Sequence, residues 1–124
     1  MERETGRILI VDDNEPLTAI LSENLRVLCE CATAESAEAA IDVLKKSEFR
    51  LVLTDISLPG MSGLDLCEHV RRLDPGIAVI VMSTNTDELY AAESLRRGAF
   101  GFLPKPFEPA LLLEMVRAAL AQSI

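Results

Sequence analysis

Apolar positions along the chain gather into short unbroken runs, and each leads to a residue with chemistry to offer. Run 8–11 (Ile-Leu-Ile-Val) meets Asp12 and Asp13, and run 51–54 (Leu-Val-Leu-Thr) meets Asp55. Run 77–82 (Ile-Ala-Val-Ile-Val-Met) meets Ser83, and run 100–103 (Phe-Gly-Phe-Leu) leads to Lys105 and Pro106. The absence of polar alternation predicts strands covered on both faces. Run 27–31 is shorter and more polar, which predicts an edge strand. The fifth strand is expected over 99–103, where Gly101 again suggests an edge.

Between these runs the spacing turns helical. Leu17, Ile20, Leu21 and Leu25 make one stripe, with Pro16 where a first helical turn tolerates it. Ser36 can cap a second helix whose inward face is Ala37, Ala40, Ile41 and Leu44. Segment 57–63 is turn chemistry around Pro59-Gly60, and a third helix over about 64–73 is stopped by Asp74-Pro75-Gly76. A fourth helix over about 87–97 ends at Gly98, and Glu108-Pro109 opens the last.

Strands alternating with helices predict an α/β fold: a doubly wound five-stranded parallel sheet with right-handed crossovers and five helices on two faces. With strands two and five at the edges the order is 2-1-3-4-5, with a switch point beside strand one. Ligands of such sheets bind outside the carboxyl ends of the strands. Those ends would gather Asp12, Asp13, Asp55, Ser83 and Lys105, which suits a divalent cation and a phosphoryl group.

Composition narrows the setting. A chain of 124 residues, 49% hydrophobic, is expected to form a single domain over 1–124 with a substantial core. No apolar run approaches the ~20 residues of a membrane helix, and residues 1–4 lack the regions of a signal peptide, so a cytoplasmic protein is expected. Twenty acids against twelve bases give a net charge of −8, which argues against direct nucleic-acid binding by this domain. Cys29, Cys31 and Cys67 are expected as reduced core or half-buried thiols, with Cys29 and Cys31 on one strand face. His69 is expected on a solvated helix face.

Taken together, Val-Asp-Asp-Asn (11–14), Leu-Thr-Asp-Ile-Ser-Leu-Pro-Gly-Met-Ser-Gly (53–63), Val-Met-Ser (81–83) and Lys-Pro-Phe (105–107) resemble the receiver domain of two-component response regulators. The resemblance covers about residues 7–120 and implies the flavodoxin/CheY-like fold. Physical reasoning stands beside it: three adjacent carboxylates repel one another and persist only if a cation neutralises them. Oxygen ligands and a phosphate partner favour Mg²⁺ over zinc. One acid can then become the nucleophile that forms an acyl phosphate. Asp55, alone at its strand tip, is the candidate.

The resemblance implies the remaining roles. Asp13 would bind Mg²⁺ directly, Asp12 through water or as a partner, Asp55 through one oxygen and Ser57 through its backbone carbonyl. Lys105 would pair with Asp55 at rest and with a phosphoryl oxygen afterwards, Ser83 would donate to another oxygen, and the Lys105-Pro106 peptide would be cis. Phe102 takes the aromatic switch position of a helix 4–strand 5–helix 5 face. Ser57 and Asn85 would flank the attacking water, and Thr84, larger than the usual residue there, would narrow access to Asp55.

The donor would be a phosphohistidine on a histidine kinase or phosphotransfer protein, and the recipient of the signal an output domain or target protein. The acidic pair of the receivers that dimerise through strand five is missing. Arg96, Arg97 and Arg117 could still form contacts in a phosphorylation-dependent homodimer, although surface charges of this kind are more often solvated. Two other functions compete: a degenerate, non-phosphorylated interaction module of the same fold, and a phosphohydrolase. The intact Asp12, Asp13, Asp55, Ser83 and Lys105 set opposes the first. Ser57, standing where such hydrolases commonly carry a second acid, opposes the second, so the chain is expected not to be an enzyme beyond its own phosphorylation and dephosphorylation. A flavin role fits the fold but not the acidic 12–15 loop.

Overall fold

The unbroken apolar runs become the inner strands of one parallel sheet because helices cover both of its faces. The computed structural model describes residues 6–84 and 88–122. The elements are β1 (Arg7–Val11), α1 (Glu15–Leu25), β2 (Glu30–Ala34), α2 (Ala37–Lys46), β3 (Leu51–Asp55), α3 (Gly63–Leu73), β4 (Ala78–Ser83), α4 (Glu88–Arg96), β5 (Gly101–Pro104) and α5 (Pro109–Gln122). The five strands lie in the order β2-β1-β3-β4-β5, every pair parallel, as the sequence predicts.

Alternate residues of each inner strand face opposite sides. Leu9, Val11, Val52, Val79 and Val81 pack with Ala37, Ala40 and Ile41 of α2 and Leu66, Cys67 and Val70 of α3. Ile8, Ile10, Leu51, Leu53, Ile80 and Met82 pack with Leu21 and Leu25 of α1 and Leu112, Val116 and Leu120 of α5. Each such side chain removed from water contributes about 1.5–3 kcal/mol, so two rows per strand hold the sheet between its helices. Its carboxyl edge stays at one end.

Helix starts near that edge are set by caps. The side chains of Asn14, Ser36 and Ser62 accept from Leu17 N, Ala39 N and Asp65 N at 3.2, 3.1 and 3.1 Å, each cap contributing about 1 kcal/mol.

Several expected boundaries move. The second strand is Glu30–Ala34, not 27–31. After α1 the amides of Leu28 and Cys29 both turn back to Leu25 O, at 2.9 and 3.2 Å, and both side chains are buried on the α1/α5 side. Cys29 therefore precedes the strand, but it and Cys31, whose Sγ donates to Cys29 O at 3.6 Å, still face the same α1/α5 side. The fifth strand is Gly101–Pro104, not 99–103, because Ala99 N still closes the helix end onto Ser94 O at 3.0 Å. The predicted helix start at Asp87 lies outside the described residues. His69 is half-buried, not fully solvated.

Two of the arginines named for dimer contacts also pair within the chain. Arg97 reaches Asp65 Oδ1 at 2.8 Å and Glu68 Oε2 at 3.3 Å on α3, and Glu93 Oε2 at 2.7 Å on α4, the helix it follows. Arg96 also pairs with Glu93. Arg97 thus ties the end of α4 to α3, while the Arg96 pair stays within α4.

Candidate functional site

Site residues arrive at the carboxyl edge from four strands. β1 ends at Val11, and Asp12 N donates to Ala34 O at 3.1 Å, which keeps the chain in sheet register for one residue more. The Asp12 side chain is then buried, and its Oδ1 accepts from Asn14 N at 3.0 Å. Asp13 is exposed. Asp55 closes β3 and is 9% exposed. One oxygen from each of Asp12, Asp13 and Asp55 lies within 4.8 Å of the others.

Lys105 is brought in by the β4–β5 pairing. Its amide donates to Ser83 O at 2.8 Å, and the following peptide to Pro106 is cis. Its Nζ donates to Asp12 Oδ2 at 3.0 Å and lies 3.4 Å from Asp55 Oδ2. The expectation of a resting pair with Asp55 is thus met only by the longer contact. Asp12, with a side chain 1% exposed against 13% for Asp55, takes the shorter one because the drier acid gains more from the cation. Ser83 is buried at the end of β4.

Burial holds the Asp55 carboxyl above its ordinary range. The Lys105 charge works against that rise, the Asp12 charge adds to it, and hydrogen bonds from Lys105 and the Ser57 backbone lower it again. The donor set is oxygen throughout, which fits a hard divalent cation and not zinc. Three carboxylates with one ammonium among them form the kind of pocket that a divalent cation completes.

Among the other expected residues, Ser57 is exposed on the loop after β3, and Thr84 is exposed directly after Ser83. Phe102 is half-buried on β5 and packs toward the α2/α3 side. Asn85 lies outside the described residues.

Two residues at the site escape sequence reasoning. Thr54, fully buried, donates its hydroxyl to Asp55 O at 3.0 Å. Gly63 presses its α-carbon on the same carbonyl, for a Cβ there would stand 2.0 Å from Asp55 O. The turn-rich stretch signals a glycine requirement without saying which glycine faces the acid.

A family model described as the response regulator receiver domain matches residues 8–117. The chain belongs to that family. The response regulator protein FleR of Pseudomonas aeruginosa is 38% identical over 119 residues, which are 94% of this chain and 25% of FleR. The DNA-binding response regulator MtrA of Mycolicibacterium smegmatis is 34% identical over 124 residues, 99% of this chain and 54% of MtrA. The chain thus spans a quarter to about half the length of these relatives.

Solved structures agree. A CheY-like receiver domain protein from Methanospirillum hungatei superposes with a TM-score of 0.90 at 30% identity, covering 97% of both chains. The beryllofluoride-activated NtrC4 receiver domain dimer gives 0.90 at 27% identity, covering 95% of this chain and 98% of that one. No helix among the described residues is long and apolar enough to cross a membrane.

Proposed function

We propose that this receiver domain accepts a phosphoryl group on Asp55 from a phosphohistidine of a histidine kinase or phosphotransfer protein. The observation that carries this is the convergence of Asp12, Asp13 and Asp55 on one point with Lys105 among them. A structural neighbour described as beryllofluoride-activated lends support.

An Asp55 Oδ attacks phosphorus as the P–N bond of the donor breaks, and the electron pair leaves with the imidazole. The product is an acyl phosphate on Asp55. Asp12, Asp13, Asp55 and the Ser57 carbonyl would hold Mg²⁺, which when bound neutralises charge on the transferring oxygens. Lys105 has only to move from its acid partners to a phosphoryl oxygen, keeping its charge where negative charge is carried. Ser83 donates its hydroxyl to a second oxygen, and Phe102 follows the Ser83 loop inward. That movement remodels the α4–β5–α5 face, which an output domain or target protein reads.

Turnover is confined to the domain's own phosphate, with water attacking past Ser57 and Thr84. Ser57 offers no carboxyl to protonate a leaving group, so ordinary phosphate esters are not substrates. The setting is the cytoplasm.

Acetyl phosphate with Mg²⁺ should add one phosphoryl group, seen by intact-protein mass spectrometry, and Asp55→Asn should abolish it. Labelling of the Asn variant, or none of the wild type, would sink the assignment.

A further inference from the structure

The loop that follows Asp55 is fastened at its neck and again at its tip. At the neck, Ile56 N donates to Met82 O and Gly63 N donates to Ile56 O, both at 2.9 Å. At the tip a different element takes over: Met61 N donates to Glu38 Oε2 at 3.2 Å, from the first turn of α2. Gly60, at φ +77°, brings its α-carbon against the same carboxylate, for a Cβ there would stand 2.9 Å from Oε2 and 3.4 Å from Oε1. Leu58 and Met61 rest on the cluster that holds Ala37, Ala40 and Ile41 of α2.

We propose that Glu38 is a positioning residue for the phosphoacceptor site, holding the 57–62 loop from α2 so that the Ser57 backbone stays directed at Asp55. This rests on the metal and phosphoryl site described above. The neck bonds fix where the loop begins and ends, but they leave its tip free to rock about that neck. Ser57 is next to the neck, and its backbone donates to the Asp55 carboxylate. A rocking tip would turn that peptide, and with it the carbonyl assigned to the cation. The clasp from Glu38 stops the rocking through one hydrogen bond and one close contact. It requires an acceptor oxygen on α2 and a residue without Cβ at position 60. A charged acceptor strengthens the bond; an amide oxygen in the same place keeps most of it.

Glu38→Ala and Glu38→Gln, made in the whole chain, test this with readouts beyond phosphorylation. In metal-free Glu38→Ala the Met61 amide should exchange about tenfold faster, with the melting temperature shifted by only about 1–2 °C, as for loss of one exposed hydrogen bond. Mg²⁺ affinity, followed through the Asp55 and Ser57 amide resonances, should weaken about three- to tenfold, and acetyl phosphate labelling should slow by a similar factor. Glu38→Gln should stay within about twofold of wild type on every readout. Unchanged Met61 exchange in Glu38→Ala would show that the clasp does not exist. Lost protection with unchanged Mg²⁺ affinity would show a clasp that positions nothing, and Gln behaving like Ala would refute the hydrogen bond as its basis. Absence of Mg²⁺ uptake by the wild type would overturn the site itself and this proposal with it, an outcome separate from the other three.

Discussion

The ammonium of Lys105 lies 3.0 Å from Asp12 Oδ2 and 3.4 Å from Asp55 Oδ2, so one cation is shared by two acids of unequal burial. With Asp13 the group keeps a net charge of −2, the amount a divalent cation balances. Lys105 is therefore a structural counter-ion before it is a catalytic one. Its position between the two acids makes the shift to a phosphoryl oxygen short.

Lys105→Met keeps most of the unbranched side chain, one heavy atom shorter, and removes its charge. Stripping the partner from a fully buried acid costs about 3–5 kcal/mol. At this partly hydrated edge the expected loss is about 2 kcal/mol, measured by urea unfolding in the presence of EDTA. Saturating Mg²⁺ should reduce the deficit by more than half, because the ion neutralises the same oxygens. Equal losses with and without Mg²⁺ would mean that Lys105 contributes packing and not charge.

Asp55 should make the metal-free protein less stable at neutral pH than it would be with a neutral side chain. Burial holds its carboxyl above the ordinary range, more strongly than Lys105 and the Ser57 backbone pull it down. The native state therefore keeps the proton more tightly than the unfolded chain. As pH falls through the native value the folded state gains stability from this group, and the gain levels off below the unfolded value of about 4. Asp55→Asn should raise the melting temperature at neutral pH by about 3 °C in EDTA, and the advantage should vanish as pH approaches 4. Calorimetry across that range checks the sign.

Much of this was readable in the chain, and the exceptions share a cause. The strands β1, β3 and β4 announce themselves because burial on both faces demands unbroken apolar runs. The acids and Lys105 stand just past those runs, so their convergence follows from the parallel order alone. The edge strand β2 hid because Leu28 and Cys29, its most apolar neighbours, are buried by a turn after α1 and not by the sheet. Lys105 preferring Asp12 depends on relative dryness at the sheet edge, which no local pattern encodes. Glu38 is separated from Asp55 by the whole of α2 and β3, so only the packed fold shows what it touches. Gly63 is legible as a turn glycine, but its closeness to the Asp55 carbonyl is not.

That closeness makes Gly63→Ala a severe substitution. A Cβ at 63 would stand 2.0 Å from Asp55 O, 2.8 Å from Asp55 C and 2.9 Å from Ile56 Cα, all backbone atoms that cannot rotate away. Moving α3 or the end of β3 to make room should cost about 3 kcal/mol or more. Gly76→Ala is the control, since its Cβ would meet only an Asp74 side-chain oxygen at 3.1 Å; it should change stability by about 0.5–1 kcal/mol. Any of the former variant that folds should also take up acetyl phosphate slowly, because the displaced carbonyl belongs to the phosphoacceptor itself. Matching denaturation midpoints for the two variants would refute the clash.

Thr84 offers the opposite case, a substitution expected to leave stability alone and change a rate. It is exposed, follows Ser83 directly, and shares with Lys105 and Pro106 the wall of a groove beside the site. We propose that its bulk narrows the approach to Asp55, in which case truncation should widen the path for both phosphodonor and water. Thr84→Ala should speed acetyl phosphate labelling and phosphate loss alike by about two- to fivefold, less than 1 kcal/mol of barrier. Unfolding free energy should move by no more than about 0.5 kcal/mol. Thr84→Val separates size from hydrogen bonding, since it keeps the shape and loses the hydroxyl. If bulk is the cause, Val labels at the wild-type rate; if Val matches Ala, the hydroxyl was responsible, and an unchanged rate in Ala removes Thr84 from the site altogether.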